Sequence, residues 1–398
     1  MMAGMKANPG GQIDLKEVVG RDQIIEQIWD ALEQQSIRIV AERRIGKTTI
    51  IKKLAAEPRD GWKPIFQDLE KCHTALEFAM SVYREVDEFL SIQQRSARKT
   101  KDFFKAIGGA EIAGIIKLPT FTGDAPWKEI LSSAIHDLVH ECETKSDRPV
   151  FLWDEVPFML ANINEREGET TSMEILDTLR GLRQTYGGDG LRMVITGSIG
   201  LHHVISTLKR QNYANSPVND TLAIEVRPLD AASAQELAAK LIEGENIQTE
   251  SFEETANEVS QLSDCFPYYI HHIVKALKLS GLNGSRDTVE KVVLDQLLDS
   301  SDPWELNHYR ERISTYYGDS LELAVLEILD SIASRAEAMS LDELLAGLKS
   351  TGKLDDREQL INLLRLITQD HYLSRNANGH YHFQFPLLQR WWKLARGL

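Results

Sequence analysis

The feature that most constrains the fold is a short apolar segment followed directly by a glycine–lysine–threonine loop and a helix-forming stretch. Residues 36–40 read as a strand, and the sequence AERRIGKTT begins immediately after it. The pattern [AG]-x-x-x-x-G-K-[ST] is met at Ala41, Gly46, Lys47 and Thr48. A strand, this loop and a helix in that order are the context in which the pattern forms a phosphate-binding loop.

The residues of this loop suit a nucleotide's phosphates, because backbone N–H groups and a helix N-terminus favour negative charge. Lys47 is predicted to reach the β- and γ-phosphates, and Thr48 to bind Mg²⁺ through its hydroxyl. Gly46 lets the backbone approach closely, whereas Ala41 at the strand exit needs no positive φ. The competing interpretation is a lysine-rich helix start without a ligand. The other residues of the predicted nucleotide-binding segment are Glu42, Arg43, Arg44, Ile45 and Thr49.

A second apolar strand ends in two carboxylates, in the sequence VFLWDEV. Asp154 is predicted to hold Mg²⁺, and Glu155 is predicted to polarise the water that attacks the γ-phosphate. Taken alone, the segment would read as a strand that ends in an acidic turn. Because Lys47 lies upstream, the pair instead predicts the metal and water chemistry of nucleotide hydrolysis.

Two further segments are weaker candidates for contacts with the nucleotide. The sequence VITGSIG carries Thr196 and Ser198, and we predict that the hydroxyl of one or the other contacts the γ-phosphate or the attacking water. The sequence VVGRD carries Arg21 just before a helix, where such a segment would lie over the adenine. The alternatives are an ordinary strand exit for the first segment and a helix N-cap turn for the second.

Short apolar segments alternate with longer segments of helical periodicity over the first half of the chain. The apolar segments are residues 36–40, 64–68, 149–154, 191–196 and 223–226. This alternation predicts an α/β fold with a mainly parallel sheet that is covered on both faces. From residue 229 the sequence reads as helical, and its end has the order helix, helix, helix, hairpin. That order is typical of a winged helix-turn-helix domain.

Composition limits the remaining classes of protein. The chain has 398 residues, of which 42% are hydrophobic and 26% charged, as expected for two or three globular domains. Its net charge of −15 gives no argument for a general affinity for nucleic acid. Three scattered cysteines form no disulfide or metal spacing, and no apolar run approaches the roughly 18 residues of a membrane helix. We therefore expect a cytoplasmic protein with no membrane partner.

Five segments together resemble the archaeal-type P-loop ATPases, which are related to the STAND and origin-recognition branches of the AAA+ class. The segments are VVGRD, AERRIGKTT, FLWDEV, VITGS and CFPYYIHHIVKAL, and they span roughly residues 18–279. The resemblance implies a P-loop NTPase core with strand order 5-1-4-3-2, an α-helical lid and a winged helix, with ATP and Mg²⁺ as ligands. In such relatives a Gly-x-Pro turn of the lid contacts the nucleotide. Here Cys265 replaces the glycine, so only Pro267 is carried over.

The composition, the periodicity and the resemblance together predict a division of the chain. Residues 1–17 would be a flexible lead-in, and residues 18–228 the ATPase core with an insertion at about 91–126. Residues 229–317 would form the helical lid and linker, and residues 318–398 the winged helix. Residues 321–398 carry nine lysines and arginines against ten acidic residues, which is a poor balance for gripping DNA phosphates. Winged helices also dock proteins or form oligomers, so both kinds of partner stay open.

An arginine finger should complete a site of this kind, but no spacing in the sequence selects it. The candidates are Arg43, Arg44, Arg180, Arg183 and Arg210. For each of them the competing interpretation is an ordinary surface salt bridge.

The sequence therefore predicts a Mg-ATP-dependent ATPase whose binding and hydrolysis of ATP switch its conformation and act on a DNA or protein partner. Turnover would be slow or dependent on that partner. The alternatives are a non-hydrolysing, nucleotide-dependent recruitment module and a DNA-binding regulator. The sequence leaves the oligomeric state open.

Overall fold

The computed structural model describes residues 4–92, 110–112, 115–117, 126–197, 201, 204–205 and 217–398. The chain packs as two units. The sheet unit consists of residues 22–41 and 47–226, and the helical unit consists of residues up to 21, 42–46 and 227–398. Ser198, Arg210 and most of the insertion predicted at residues 91–126 lie outside the described residues.

The sheet unit is built on five parallel strands. They are β1 (Ile37–Val40), β2 (Trp62–Asp68), β5 (Arg148–Asp154), β6 (Arg192–Ile195) and β7 (Leu222–Glu225). Across the sheet they follow the order β2-β5-β6-β1-β7. Numbered along the core, this is the order 5-1-4-3-2, so the predicted α/β fold class is confirmed. Two short antiparallel strands, β3 (Ala110–Ile112) and β4 (Ile115–Lys117), belong to the predicted insertion.

The helices of the sheet unit bury one apolar face each. In α1 the buried residues Ile25, Ile28, Trp29 and Leu32 recur at the spacing of a helix. The other described helices of this unit are α2 (Lys47–Ala56), α3 (Ala75–Ile92), α4 (Trp127–Thr144), α5 (Val156–Glu167) and α6 (Glu169–Tyr186), and α1 itself is Asp22–Leu32.

Strand β5 forms the centre of the core. It is buried from Pro149 to Asp154, as expected for a parallel strand covered on both faces. The ring of Trp153 lies 4.8 Å from that of Phe151 and 5.6 Å from that of Phe78 on α3, measured between ring centroids. Because all five strands run in one direction, the residues that follow β1, β5 and β6 meet at one edge of the sheet.

The helical unit is mostly α-helical, as the sequence predicted from residue 229 onward. Its helices are α7 (Ala231–Gly244), α8 (Phe252–Leu262), α9 (Pro267–Ser280), α10 (Arg286–Leu298), α11 (Asn307–Ala333), α12 (Leu341–Ser350), α13 (Arg357–Gln369) and α14 (Pro386–Arg396). Five of these helices begin after an Asp or Ser whose side chain accepts a hydrogen bond from a backbone N–H of the first turn. These capping residues are Asp230, Ser251, Ser285, Ser340 and Asp356. Helix α11 is kinked at Gly318, where φ is 68° and ψ is 163°.

The end of the chain has the elements that the sequence predicted, in the predicted order. Helices α11, α12 and α13 are followed by the hairpin β8 (Leu373–Arg375) and β9 (Tyr381–Phe383), which turns within residues 376–380. Met339, before α12, pairs with Tyr381 in an antiparallel bridge. The identification of these elements as a winged helix stays a prediction, and so does its boundary at residue 318.

The segment that we predicted to be a flexible lead-in contacts helices of the helical unit. The backbone N–H of Ala7 donates to Glu245 Oε1 at 2.9 Å, and that of Asn8 donates to His271 Nδ1 at 3.2 Å. The ammonium of Lys6 donates to the carbonyl of Gly244 at the end of α7. Burial lowers the pKa of His271 to about 4, so its ring is a neutral acceptor at neutral pH.

Candidate functional site

The glycine–lysine–threonine loop connects β1 to α2, as predicted. Helix α2 begins at Lys47, directly after Gly46. Gly46 has a φ of 96°, which residues with a side chain rarely adopt, and a Cβ there would meet no atom within 4 Å. The backbone conformation, and not lack of space, therefore explains the glycine. Ile45 is buried at 1% exposure, and Thr49 lies half-buried in the first turn of α2.

Lys47 and Thr48 contact two different strand ends of the sheet unit. The Lys47 ammonium donates to the carbonyl of Ala41 at 3.2 Å, and the lysine is 7% exposed. The Thr48 hydroxyl donates to Asp154 Oδ2 at 2.6 Å. The structure thus brings together the two residues that we predicted as metal ligands, although they are 106 residues apart in the chain.

Asp154 lies in a buried environment that suits a bound cation. It is 3% exposed, and burial raises the pKa of its carboxyl, while the hydrogen bond from Thr48 acts in the opposite direction. Its second oxygen, Oδ1, accepts a bond from the backbone N–H of Glu155 at 3.1 Å. A carboxylate and a hydroxyl are the oxygen ligands that Mg²⁺ prefers. A divalent cation would also offset the cost of keeping this carboxylate charged.

Glu155 has a backbone conformation that is uncommon for a residue with a side chain. Its φ is 57°, in the left-handed region, and it occupies the position just before α5. Such a conformation costs of order 1 kcal/mol and is frequent at functional sites. Its Oε2 lies near the turn after β6, because a Cβ built on Gly197 would be 3.4 Å from it. The predicted catalytic carboxylate is therefore half-buried beside the predicted sensor segment.

Thr196 follows β6 and lies next to these carboxylates. Its backbone N–H donates to the carbonyl of Trp153 at 3.0 Å, and its carbonyl accepts from Val156 at 3.1 Å. The residue is 1% exposed, and within the part of the chain that the structure describes its hydroxyl has no hydrogen-bond partner. A buried hydroxyl without a partner is uncommon in proteins, and this one suits a ligand contact. Ser198, the other predicted residue of this turn, is outside the described residues.

Arg21 is hydrogen-bonded to two backbone carbonyls of the helical unit. Its guanidinium donates to Ile45 in the loop and to Arg227, each at 2.8 Å. The side chain is buried, and desolvation lowers its pKa to about 10, so it remains charged at neutral pH. These bonds hold the loop backbone. The predicted position of this segment over the adenine stays a prediction.

Glu42, Arg43 and Arg44, in the middle of the loop, contact residues that sequence spacing did not identify. Glu42 is 3% exposed, and its Oε1 accepts from the Arg43 backbone N–H at 2.7 Å and from Arg312 Nη1 at 3.1 Å. Arg43 and Arg44 both pair with the carboxylate of Glu305. No signal in the sequence could have found Arg312 or Glu305, because these pairs depend on how helices pack.

The loop residue Arg44 also contacts the segment that carries Pro267. Its guanidinium carbon lies 4.3 Å from the ring centroid of Tyr268, a cation–π arrangement. Pro267 is the first residue of α9, and Cys265 before it has a φ of 59°. The cysteine therefore adopts a conformation that a glycine would adopt without strain. A contact between Pro267 and a nucleotide stays a prediction.

The described arginine-finger candidates occupy different environments. Arg183 is 6% exposed and forms a two-pronged ion pair with Asp220, with both contacts at 2.8 Å. It also donates to the carbonyl of Pro217, so it holds the turn before β7. Arg180 is half-buried near Asp220. Arg210 lies outside the described residues.

Two further findings concern the described residues. Within the described ranges, no group of three His, Cys, Asp or Glu side chains is arranged to hold a metal ion. Among those same residues, no helix combines the length and the apolar character needed to cross a membrane.

Comparison with known proteins gives a fold relationship and no close sequence relative. The sequence matches no protein-family model and no curated protein. The fold is similar to that of the Walker-type ATPase PABY2304 of Pyrococcus abyssi, with a TM-score of 0.62 and 15% identity over 95% of this chain and 97% of that one. It is also similar to the ORC2 protein of Aeropyrum pernix, solved in ADPNP–ADP complexes, with a TM-score of 0.54 and 11% identity over 98% and 94% of the two chains. Over nearly its whole length, the chain therefore has the fold of this Walker-type ATPase and of the ORC2 protein, as its motifs predicted.

Proposed function

We propose that the protein binds Mg-ATP at residues 41–49 and hydrolyses it, and that this cycle acts as a conformational switch on a DNA or protein partner. The observation that carries the proposal is the hydrogen bond of 2.6 Å between Thr48 and Asp154. It joins the end of the glycine–lysine loop to the carboxylate at the end of β5. Of the two solved structures compared above, one is a Walker-type ATPase and the other was solved in ADPNP–ADP complexes, which is consistent with the proposal.

In this proposal each site residue that belongs to the sheet unit has a separate role. The Lys47 ammonium and the N-terminus of α2 bind the charge of the β- and γ-phosphates. Mg²⁺, held by Thr48 and Asp154, would neutralise part of that charge. Glu155 orients the attacking water, whose oxygen bonds to the γ-phosphorus as the bond to ADP breaks. The buried hydroxyl of Thr196 donates to the γ-phosphate or the water, where charge develops.

Steady-state release of phosphate from ATP in the presence of Mg²⁺ tests the proposal. We expect wild type to release phosphate faster than Lys47→Ala, because the variant lacks the charge that binds the phosphates. We expect Glu155→Gln to bind ATP with little change in affinity but to release phosphate at least about 100-fold more slowly. Glu165→Gln is the matched control, since it removes an exposed carboxylate from α5, the helix that follows Glu155.

The outcomes separate the proposed enzyme from its alternatives. If wild type releases phosphate no faster than Lys47→Ala, both with and without duplex DNA, the proposed hydrolysis is contradicted. If wild type nevertheless binds ATP, the protein is a non-hydrolysing recruitment module. If it binds no nucleotide and shows salt-sensitive, sequence-preferring binding to DNA, it is a DNA-binding regulator.

A further inference from the structure

Within the helical unit, a buried ion pair joins residues 42–46 of the predicted phosphate-binding loop to α11. Glu42 and Arg312 have side chains that are 2% and 14% exposed, and their charged atoms are 3.1 Å apart. Arg312 belongs to α11, on the N-terminal side of the kink at Gly318. Thus the residue directly after Ala41 is held by a residue 270 positions further along the chain.

The carboxylate of Glu42 organises the loop backbone as well as binding α11. Its Oε1 accepts both from Arg312 and from the backbone N–H of Arg43. A loop that binds phosphates must hold its N–H groups in a fixed arrangement, because a disordered loop loses part of its binding energy to ordering. The position of Glu42 therefore helps to set the arrangement of the N–H groups that follow it.

Arg312 also forms an ion pair with the residue that follows α13. Its Nη2 lies 3.7 Å from Oδ1 of Asp370, the residue that follows α13. Asp370 is 1% exposed, and its other oxygen accepts a hydrogen bond from Tyr317 on α11. Charged groups that are buried away from water interact strongly, and their geometry is fixed by hydrogen bonds. The loop, α11 and the end of α13 are thus joined by one buried polar chain.

A second attachment lies two residues further along the loop. Arg44 contacts Glu305, which precedes α11, and the ring of Tyr268 at the start of α9. Arg44 has a φ of 69°, so its own backbone is held in the left-handed region. Both attachments are made by residues 42–46, the part of the loop that packs with the helical unit. Lys47 and Thr48, which follow at once, pack with the sheet unit.

From these contacts we propose that Arg312 is a positioning residue for the ATP site: through Glu42 it fixes the loop, and through Asp370 it transmits nucleotide binding to α11 and α13. This inference rests on the proposed function. Arg312 does not itself bind the nucleotide. Binding of phosphates changes the strain on the loop, and the buried pair passes that change to the C-terminal helices, because a buried ion pair keeps one geometry.

The decisive variant is the apolar double replacement Glu42→Leu with Arg312→Met. It removes both charges of the Glu42–Arg312 pair at once. Asp370 loses its ion pair with Arg312 but keeps the hydrogen bond from Tyr317, so the variant is used only if its thermal unfolding shows that it is folded. Fluorescence titration with a labelled ATP analogue should show at least a tenfold loss of affinity. Hydrogen–deuterium exchange should show that Mg-ATP slows exchange in residues 307–317 and 365–372 of wild type, and that this response is lost in the double variant.

Two further variants separate positioning from stability. Glu42→Gln keeps the size and an acceptor oxygen but removes the charge, and we expect it to weaken the exchange response while the protein stays folded. Arg310→Gln is the matched control. Arg310 is also in α11, and its ion pair with Glu322 lies nearer the surface than that of Arg312 with Glu42. This control variant should leave both the ATP affinity and the exchange response as in wild type. Thermal unfolding without nucleotide verifies that every variant is folded.

The failure of this inference is distinguishable from the failure of the proposed function. If wild type binds no ATP, both are overturned. If wild type binds ATP and the folded double variant keeps the wild-type affinity and exchange response, only the role of Arg312 is overturned.

Discussion

Asp264 is a carboxyl group whose environment should make the protein's stability depend on pH near neutrality. Burial raises the pKa of Asp264 to about 7, although its carboxylate accepts a bond of 2.6 Å from the backbone N–H of Leu387 at the start of α14. The folded protein therefore keeps this proton up to about pH 7, whereas the unfolded chain loses it near pH 4. Between these values the folded state binds more protons, so stability falls as pH rises.

We expect Asp264→Asn to remove this contribution. The variant should match wild type near pH 4 and be more stable at pH 8, by up to roughly 4 kcal/mol, because an amide has no charge to bury and can still accept from Leu387. The measurement is the free energy of unfolding of both proteins in denaturant from pH 4 to pH 8. A difference that stays constant over this range would show that Asp264 ionises normally.

Thr196→Val tests the buried hydroxyl beside Glu155. Valine has nearly the same shape, so the free energy of unfolding should change by less than about 1 kcal/mol, or rise, since no hydrogen bond is lost within the described structure. Phosphate release in a single turnover should fall about 10- to 100-fold, with little change in ATP affinity. Unchanged release would assign the sensor role elsewhere, and Ser198→Ala would then be the next variant to measure.

At the scale of elements, the kink in α11 gives a prediction about backbone conformation. Gly318 has a φ of 68° and no atom within 4 Å of a built Cβ, so an alanine there is strained by conformation alone. We expect Gly318→Ala to destabilise the protein by about 1–2 kcal/mol.

Gly347 in α12 is the control for this change. It also has open space around a built Cβ, but its φ is not positive. Gly347→Ala should therefore stabilise the protein by about 0.4–1 kcal/mol, since alanine is the better helix former. Equilibrium unfolding in denaturant measures both variants. Equal effects of the two changes would show that α11 straightens without cost.

The elements themselves could largely be predicted, because apolar periodicity is a local signal. The strand predicted at residues 149–154 is observed as Arg148–Asp154, and the one at residues 223–226 as Leu222–Glu225. The kink of α11 was not predicted, since one glycine in a helical pattern is compatible with a straight helix. The hairpin at the end of the chain was also predicted, and the Asn and Gly residues between β8 and β9 favour such a turn through their local chemistry.

At the scale of the whole molecule, the balance of charges predicts the affinity of the protein for DNA. Residues 321–398 carry nine basic and ten acidic residues, so they offer little net attraction for phosphates. We expect binding to random duplex DNA to be weaker than about 10 µM even at 50 mM salt, with or without Mg-ATP. Fluorescence anisotropy of a labelled duplex at several salt concentrations is the measurement. Tight binding that weakens steeply with salt would instead identify DNA as the partner.

The sequence by itself determined the order of strands and helices, the loop between β1 and α2, and the carboxylates at the end of β5. These are set by periodicity and by residue types within short windows, and parallel strands then require that the loop and Asp154 meet at one edge of the sheet. Only the tertiary structure decided where Arg43 and Arg44 lie and which residue holds Glu42. The partners, Glu305 and Arg312, are more than 260 residues away. Such pairs are fixed by how distant helices pack, for which a single sequence carries no local signal.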